Sequence, residues 1–183
     1  MAVILKMYAS ILPVILGGVA NMLFCKSSFY KRHNMPIDLG IRLKDGKRIF
    51  GDNKTITGFF SMIGFCMLFQ VLCGFLGISG DIGAIARGSV IFDLYIGFLL
   101  GLSYMLCELP NSFIKRRLGI TPGKTENAVF FVIDQIDSVF GVAFIICMFS
   151  GLWPRYFGYI ALGGLTHIAV NAVLYRAKIR RNL

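Results

Sequence analysis

The fourth apolar stretch of this chain contains two carboxylates, which is unusual for a helix that only packs or faces lipid. Asp134 and Asp137 are three residues apart, so both lie on one face of an α-helix. Ionised side chains are costly inside a membrane, and neighbouring like charges repel. Mg²⁺ would offset both costs because it prefers oxygen ligands. The alternative is a structural ion pair with Lys115 or Lys124.

Near the end of the third apolar stretch, five polar residues offer carboxylate, amide, hydroxyl and cationic groups: Glu108, Asn111, Ser112, Lys115 and Arg116. Glu108, Asn111 and Lys115 are at positions i, i+3 and i+7 and therefore share a helical face, unless Pro110 breaks the helix. A run of cations at a membrane boundary can serve as a topological anchor only. Its combination with a carboxylate and an amide favours a site for phosphate groups.

Between the first two apolar stretches, the chain has the pattern of a small hairpin. Leu39, Ile41 and Leu43 alternate with polar residues, and the Asp45-Gly46 pair that follows is a turn signal. We therefore expect a short β-hairpin in this loop.

The hairpin is followed by Gly51-Asp52-Asn53-Lys54-Thr55, which enters the second apolar stretch near Thr55 or Thr57. The first turn of a helix has free N–H groups and a positive dipole end, which together bind anions. Lys54 and the two hydroxyls add donors suited to phosphate. The segment is not a P-loop because the glycine required five residues before Lys-Thr is missing. It is either a capped helix entry or a phosphate site.

The composition indicates how these residues are held. Of the 183 residues, 56% are hydrophobic and only 15% are charged, whereas a soluble domain has about a quarter charged residues. A membrane-spanning helix needs roughly 20 apolar residues, and five stretches meet this requirement: 5–25, 57–78, 88–109, 127–152 and 156–175. The first is interpreted as a span because no signal-peptide cleavage pattern follows it. We expect an all-α integral membrane protein, a single domain over 1–183, with loops at 26–56 and 110–126.

The cations determine the expected orientation. The loops 26–54 and 115–124 and the C-terminal tail together hold sixteen Lys and Arg, and the opposite face holds only Lys6, Arg87 and Arg155. This asymmetry predicts that the two loops are cytoplasmic. It also explains the net charge of +10 without a nucleic-acid partner. We therefore expect a multi-pass protein of the cell membrane whose polar site faces the cytoplasm.

Cysteine, histidine and glycine have simpler interpretations. The five cysteines form no Cys-x-x-Cys pair, and His33 and His167 are solitary, which argues against a zinc site or a catalytic triad. Gly97 and Gly101 are spaced as in close helix packing. Phosphoryl or nucleotidyl transfer remains the favoured chemistry because it depends mainly on positioning and charge neutralisation.

The chain resembles the CDP-archaeol synthases, small five-span enzymes that transfer a cytidylyl group from CTP to an archaeal lipid phosphate. The resemblance covers essentially the whole chain and rests on these motifs: Pro36-Ile37-Asp38, Asp45-Gly46, Gly51-Asp52-Asn53-Lys54-Thr55 with Gly58, Glu108-Leu109-Pro110-Asn111-Ser112, Lys115-Arg116, Gly119-Ile120-x-Pro122-Gly123 and Asp134-Gln135-Ile136-Asp137. The chain is similar, more distantly, to the phosphatidate cytidylyltransferases. Those enzymes carry arginine where this sequence has Gln135.

Residue chemistry and resemblance together predict a mechanism. Asp134 and Asp137 would hold Mg²⁺, while Lys54, Lys115 and Arg116 would neutralise phosphates. Six further residues would orient substrates or complete the metal shell: Asn53, Thr55, Thr57, Glu108, Asn111 and Ser112. The resemblance implies that a lipid phosphate attacks the α-phosphorus of CTP and releases pyrophosphate.

Three alternatives remain. The enzyme could use diacyl phosphatidate as its lipid. A CDP-alcohol phosphotransferase would need an Asp-Gly and Ala-Arg pattern followed by two further spaced aspartates, which is absent. A non-enzymatic membrane carrier would need polar residues across the bilayer depth, and only Asp93 and His167 are candidates for such a path.

Overall fold

The computed structural model describes residues 1–78, 80–83, 89–122 and 128–177. Several residues used above lie outside the described residues: Arg87, Gly123, Lys124, Asn127, Lys178, Arg180 and Arg181.

Long helices make up most of the described chain: α1 (Ala2–Phe24), α3 (Ile56–Phe75), α4 (Val90–Arg117), α5 (Ala128–Ser150) and α6 (Tyr156–Arg176). A short helix, α2 (Ser28–Arg32), follows α1, and a 3₁₀ turn, Trp153–Arg155, precedes α6. Among the residues that the structure describes, five helical segments are long and apolar enough to cross a membrane. The expectation of an all-α protein with five membrane-crossing helices is therefore confirmed.

Helix α4 is longer than the third apolar stretch. It continues past Leu109 and through Pro110 to Arg117, so residues 110–117 are helical where we expected a loop. Proline removes only one hydrogen bond from a helix, and neighbouring packing can offset that loss. The helix therefore presents Glu108, Asn111 and Lys115 on one unbroken face.

The bundle follows the chain order, with α3 packed between α1 and α4, and α5 packed between α4 and α6. Two glycines permit the close approach of α4 to α3. A Cβ atom added to Gly97 would lie 2.5 Å from the Met67 Cα, and one added to Gly101 would lie 2.7 Å from the Ile63 Cα. The predicted packing role of this glycine pair is confirmed. Cys66, Cys73 and Cys147 are free thiols buried in the same interior.

The expected β-hairpin is not supported, because residues 36–55 contain two isolated bridges and no strand. The chain does reverse at Asp45-Gly46, where the Leu43 N–H donates to the Lys47 carbonyl oxygen at 3.0 Å. The alternating residues Leu39, Ile41 and Leu43 are exposed and have no sheet face to pack on.

Asp38 explains why this segment is a loop. Its carboxylate accepts hydrogen bonds from the N–H groups of Gly40, Phe50 and Gly51 at 3.2, 2.9 and 3.0 Å. Those N–H groups are therefore not available for a strand ladder. The side chain of Arg48 also binds Asp38.

Candidate active site

The polar network at one end of the bundle begins with Asn111 of α4. Its amide nitrogen donates to Asp134 Oδ1 and to Asp137 Oδ2, in both cases at 2.7 Å. The i, i+3 spacing of the two aspartates along α5 turns both carboxylates towards α4. One amide group therefore holds two acidic side chains side by side.

Lys115 completes the contact between α4 and α5. Its ammonium group lies 2.7 Å from Asp134 Oδ1 and 2.5 Å from Asp134 Oδ2. It also lies 5.7 Å from the centroid of the Phe130 ring. The Lys115 side chain is 8% exposed, so this cation is almost fully withdrawn from solvent. The ion pair that we named as the alternative to a metal is present.

A second ion pair joins the first loop to α4. The Lys54 ammonium group binds the Glu108 carboxylate, and both side chains are largely buried. Asp137 lies close enough to Glu108 and Lys54 to interact electrostatically with both. The three polar segments predicted separately from the sequence therefore meet in one network: Lys54, Glu108, Asn111, Lys115, Asp134 and Asp137.

Thr55 and Thr57 support the start of α3. Thr55 is its N-cap, and its hydroxyl accepts from the Gly58 N–H at 3.1 Å and contacts the Tyr30 hydroxyl at 2.8 Å. Thr57 donates to the His33 carbonyl oxygen at 2.7 Å. Both hydroxyls therefore act in local structure, as expected if this segment is a capped helix entry. Asn53 is exposed in the loop beside Lys54.

Arg116 and Ser112 are buried on α4. The Arg116 guanidinium donates to the Ile120 carbonyl oxygen, and its Nε has no partner in the described part of the chain. Gly51 packs against it: a Cβ there would lie 3.5 Å from Arg116 Cδ and 2.9 Å from Pro122 Cγ. Gly51 also has a φ of +92°, a conformation that favours glycine.

The first loop is fastened to the end of α4. Arg117 donates to Asp45 Oδ1 and Oδ2 at 2.7 and 2.6 Å, and Lys47 donates to the Arg117 carbonyl oxygen at 2.6 Å. Within the loop, burial alone would raise the pKa of Asp38. The hydrogen bonds from Arg48 and the backbone outweigh burial, and the pKa lies well below its usual range. Asp38 is therefore an ionised anchor that holds the loop backbone at Gly40, Phe50 and Gly51.

Comparison with known proteins gives a consistent result. A family model described as CarS-like CDP-archaeol synthase matches residues 1–182. The chain is 31% identical to a CDP-archaeol synthase of Sulfurisphaera tokodaii, with 84% of each chain covered. It is 30% identical to one of Saccharolobus islandicus, with 98% of each chain covered.

The chain belongs to the CDP-archaeol synthase family. The predicted family and the expectation of a nucleotidyltransferase are both confirmed. A solved structure described as an intramembrane enzyme for archaeal membrane lipid biosynthesis is also similar. It matches with a TM-score of 0.63 and 24% identity over 90% of this chain and 92% of that one. This likeness shows that the fold is shared with an intramembrane protein, and this family member is a multi-pass membrane protein.

The acidic residues of the network offer the kind of oxygen ligands that a divalent metal ion binds. In the described residues, no three His, Cys, Asp or Glu side chains gather as a metal cluster. Asp134 and Asp137 nevertheless supply adjacent oxygen ligands, and Asn111 Oδ1 beside them is buried without a partner in the described chain. Three carboxylates in the network (Glu108, Asp134 and Asp137) face two ammonium groups (Lys54 and Lys115). The donor set and its negative excess therefore fit Mg²⁺.

Sequence reasoning missed several residues that adjoin this network. An apolar cleft runs between α1, α5 and α6, with Tyr104 of α4 in its wall. Tyr104 also interacts electrostatically with Glu108 and Asp137, so it links the cleft to the charged network. Gln135 and Asn171 form a buried hydrogen bond of 2.9 Å between α5 and α6. Gln135 was noted only as part of the motif Asp134-Gln135-Ile136-Asp137, and Asn171 gave no signal, because a single amide in an apolar helix has no characteristic spacing.

Proposed function

We propose that this chain transfers the cytidylyl group of CTP to an archaeal-type lipid phosphate. The observation that carries the proposal is the network of Lys54, Glu108, Asn111, Lys115, Asp134 and Asp137. It gathers cations for phosphates and carboxylates for a metal at one end of a membrane bundle. The CDP-archaeol synthase names of the relatives supply the substrates.

In the proposed reaction, a phosphate oxygen of the lipid attacks the α-phosphorus of CTP. A new P–O bond forms to that phosphorus, and its bond to the bridging oxygen of the β-phosphate breaks. Pyrophosphate leaves, and a CDP-lipid with a diphosphate linkage remains. The chain needs no covalent nucleophile, because the lipid phosphate is already anionic and the principal barrier is charge repulsion.

Lys115 and Lys54 lower that repulsion. Each ammonium group is held in place by a carboxylate, Lys115 by Asp134 and Lys54 by Glu108. An entering phosphate shares these cations, and their burial strengthens the attraction because the local dielectric constant is low. Arg116 follows Lys115 in α4, but its guanidinium donates to the Ile120 carbonyl oxygen and lies against Gly51, so it acts from the side of the first loop.

Asp134 and Asp137, with Asn111 next to them, are the residues that would hold Mg²⁺. The bound metal would supply positive charge to offset the negative charge of the phosphate oxygens of the nucleotide. The chain's own part is to keep the two carboxylates together, which Asn111 does from one amide nitrogen.

The lipid tails would occupy the apolar cleft. Its walls are mostly aliphatic, with Ile15 of α1, Val139 of α5 and Val170 of α6 among them. Tyr104 joins the cleft to the charged network. A lipid with its phosphate at Lys115 can therefore extend its chains along the bundle without leaving the protein surface.

The cation distribution supports the location. In the sequence, sixteen of nineteen Lys and Arg residues fall within 26–54, 115–124 and 176–181, and the first two of these segments contain Lys54 and Lys115 of the network. By the positive-inside rule, the side on which these segments lie is cytoplasmic, where CTP is available. We propose a single membrane domain in the cell membrane with its site open to the cytoplasm.

The test is a reaction with purified protein in detergent, Mg²⁺ and labelled CTP. One sample receives a dialkylglycerol phosphate and another receives diacyl phosphatidate, and CDP-lipid and pyrophosphate are both measured. We expect products with the ether lipid. Turnover with phosphatidate alone would change the substrate assignment, and no product with either lipid from folded protein would contradict the proposal.

A further inference from the structure

The wall of the apolar cleft contains a small group of polar residues. Asn171, His167 and Thr166 of α6 line it together with mostly aliphatic side chains. Thr166 is satisfied within its own helix, since its hydroxyl donates to the Leu162 carbonyl oxygen at 2.7 Å. The ring of His167 contacts the Gln135 carbonyl oxygen at 3.2 Å. Asn171 differs from both.

Asn171 is only 2% exposed, and half of its amide group is unused. Its Nδ2 donates to Gln135 Oε1 at 2.9 Å. Its Oδ1 is buried and has no hydrogen-bond partner among the residues that the structure describes. A buried amide oxygen without a partner is costly and uncommon in folded proteins. One end of the Asn171 amide therefore binds Gln135, and the other end is left for a group that enters the cleft.

The position of Asn171 matches the depth at which a lipid glycerol would lie. Gln135, which holds Asn171, follows Asp134 directly in α5. Asn171 itself is near the end of α6 on the same side of the bundle. In a lipid phosphate the glycerol is the next group below the phosphate. With the phosphate at Lys115 and Asp134 and the chains in the cleft, the glycerol oxygens come level with Asn171.

The chemistry of the amide suits those oxygens. Glycerol-linked ether and ester oxygens accept hydrogen bonds and do not donate them. Turning the amides of Asn171 and Gln135 by half a turn preserves the bond between them, with Gln135 now donating to Asn171. Asn171 then presents an N–H group to the cleft. This rotation replaces the 3.3 Å hydrogen bond from Gln135 Nε2 to the Phe131 carbonyl oxygen by a contact between two oxygens, a cost that the new hydrogen bond to the lipid must offset.

We propose that Asn171 binds the glycerol-linked oxygens of the lipid phosphate and that Gln135 positions Asn171 for this contact. The inference rests on the proposed function and adds the part of the lipid that the chain recognises. It makes glycerol a required element of the substrate. A simple long-chain alkyl phosphate, which offers the same anionic group and an apolar chain, would then bind less well.

The test compares Asn171→Leu with the control Ser103→Ala, which removes a hydroxyl of α4 that is not part of the cleft wall and that donates to the Leu100 carbonyl oxygen of its own helix at 3.0 Å. The KM for dialkylglycerol phosphate, the KM for diacyl phosphatidate and the KM for CTP are measured for each protein. We expect Asn171→Leu to raise the lipid KM about three- to tenfold, the usual value of one hydrogen bond. The KM for CTP should not change in Asn171→Leu, and none of the three KM values should change in the control variant. An unchanged lipid KM in Asn171→Leu would overturn the proposal.

A binding measurement separates this proposal from the proposed function. Thermal shifts of the protein are recorded with dialkylglycerol phosphate and with hexadecyl phosphate, without CTP. The wild type should prefer the glycerol lipid, and Asn171→Leu should lose that preference while it still binds hexadecyl phosphate. Equal shifts from both lipids in the wild type would contradict the glycerol subsite, even if CDP-lipid is formed. Failure of CDP-lipid formation with the preference intact would count against the reaction alone.

The double variant Gln135→Met with Asn171→Leu guards against misfolding. It removes both amides, so no buried polar group is left unpaired by the change. It should show the same loss of glycerol preference as the single variant. Retention of the preference in a folded double variant would also overturn the proposal.

Discussion

Lys115 of α4 contacts both carboxylate oxygens of Asp134 of α5, at 2.7 and 2.5 Å. The ammonium group and its partner are largely withdrawn from solvent. An ion pair in this setting is expensive to form and still more expensive to break on one side. Its place beside Asn111 and Asp137 makes it part of the site as well as a link between helices.

A substitution at Asp137 distinguishes a metal site from a purely structural ion pair. In the described chain it accepts from Asn111 but forms no direct salt bridge with a lysine. Asp137→Asn should therefore fold normally, yet lose activity by about a hundredfold or more if its charge acts on the metal or phosphates. The residual activity should need more Mg²⁺ for half-maximal rate. Titration of the rate with Mg²⁺ measures this shift.

Asp134→Asn is the companion variant. It removes the same charge but also leaves Lys115 without its carboxylate, so it should lower the thermal stability as well as the activity. Wild-type activity in both the Asp134 and Asp137 variants would refute the assignment of a metal to this pair.

Single and double variants of the ion pair between Lys54 and Glu108 should differ in their effects on stability and on the KM for CTP. Removal of one member of a buried ion pair costs about 3–5 kcal/mol of stability, and Lys54→Met or Glu108→Gln should each lower the melting temperature. Lys54→Met should also raise the KM for CTP, because it removes a cation that binds phosphate in the proposed reaction. The double variant should recover stability but not the KM for CTP. If it recovers both, the pair is structural only.

Gly51 tests whether the first loop must lie against Arg116. Gly51→Ala introduces a Cβ that meets Pro122 Cγ at 2.9 Å in a backbone with a φ of +92°. Gly46→Ala is the matched control, because its φ is +74° but nothing lies within 4 Å. Both should suffer left-handed strain of about 1–2 kcal/mol. Only Gly51→Ala should also lose activity, and equal activity of the two variants would show that loop placement is unimportant.

The lowered pKa of Asp38 predicts that its contribution to the stability of the fold depends on pH. Its pKa is lowered in the folded protein because hydrogen bonds from Arg48 and the backbone outweigh burial. A carboxyl group of this kind stabilises the fold fully above its unfolded pKa of about 4, and that contribution declines as the pH falls below this value. The difference in melting temperature between wild type and Asp38→Asn should therefore be constant from pH 7 to about 5 and shrink below about 4. A difference that grows on acidification would contradict the anchoring role.

The helices were accessible from sequence because each apolar stretch needs no distant partner to be recognised. The Gly97 and Gly101 pair was likewise informative, because its spacing describes a local surface. Pro110 was less informative, because whether a proline ends a helix depends on what the following residues contact. Here Asn111 and Lys115 bind α5, and the helix continues.

The structure of the first loop, in contrast, could not be predicted from the sequence. Leu39, Ile41 and Leu43 alternate as in a strand, but alternation stabilises a strand only where one face is covered. In this chain Asp38 takes the backbone N–H groups instead. The pairing of Asn171 with Gln135 was also out of reach of sequence reasoning, since it depends on how α6 packs against α5.

The position of the label transferred from CTP tests the central claim most directly. Purified protein is incubated with Mg²⁺, dialkylglycerol phosphate and CTP labelled either at the α-phosphorus or at the γ-phosphorus, and the lipid product is extracted and counted. Cytidylyl transfer predicts that the lipid carries label from the α-position only, with the γ-label recovered in pyrophosphate. Lipid labelled from the γ-position would show phosphoryl transfer, and unlabelled lipid in both reactions would contradict the account altogether.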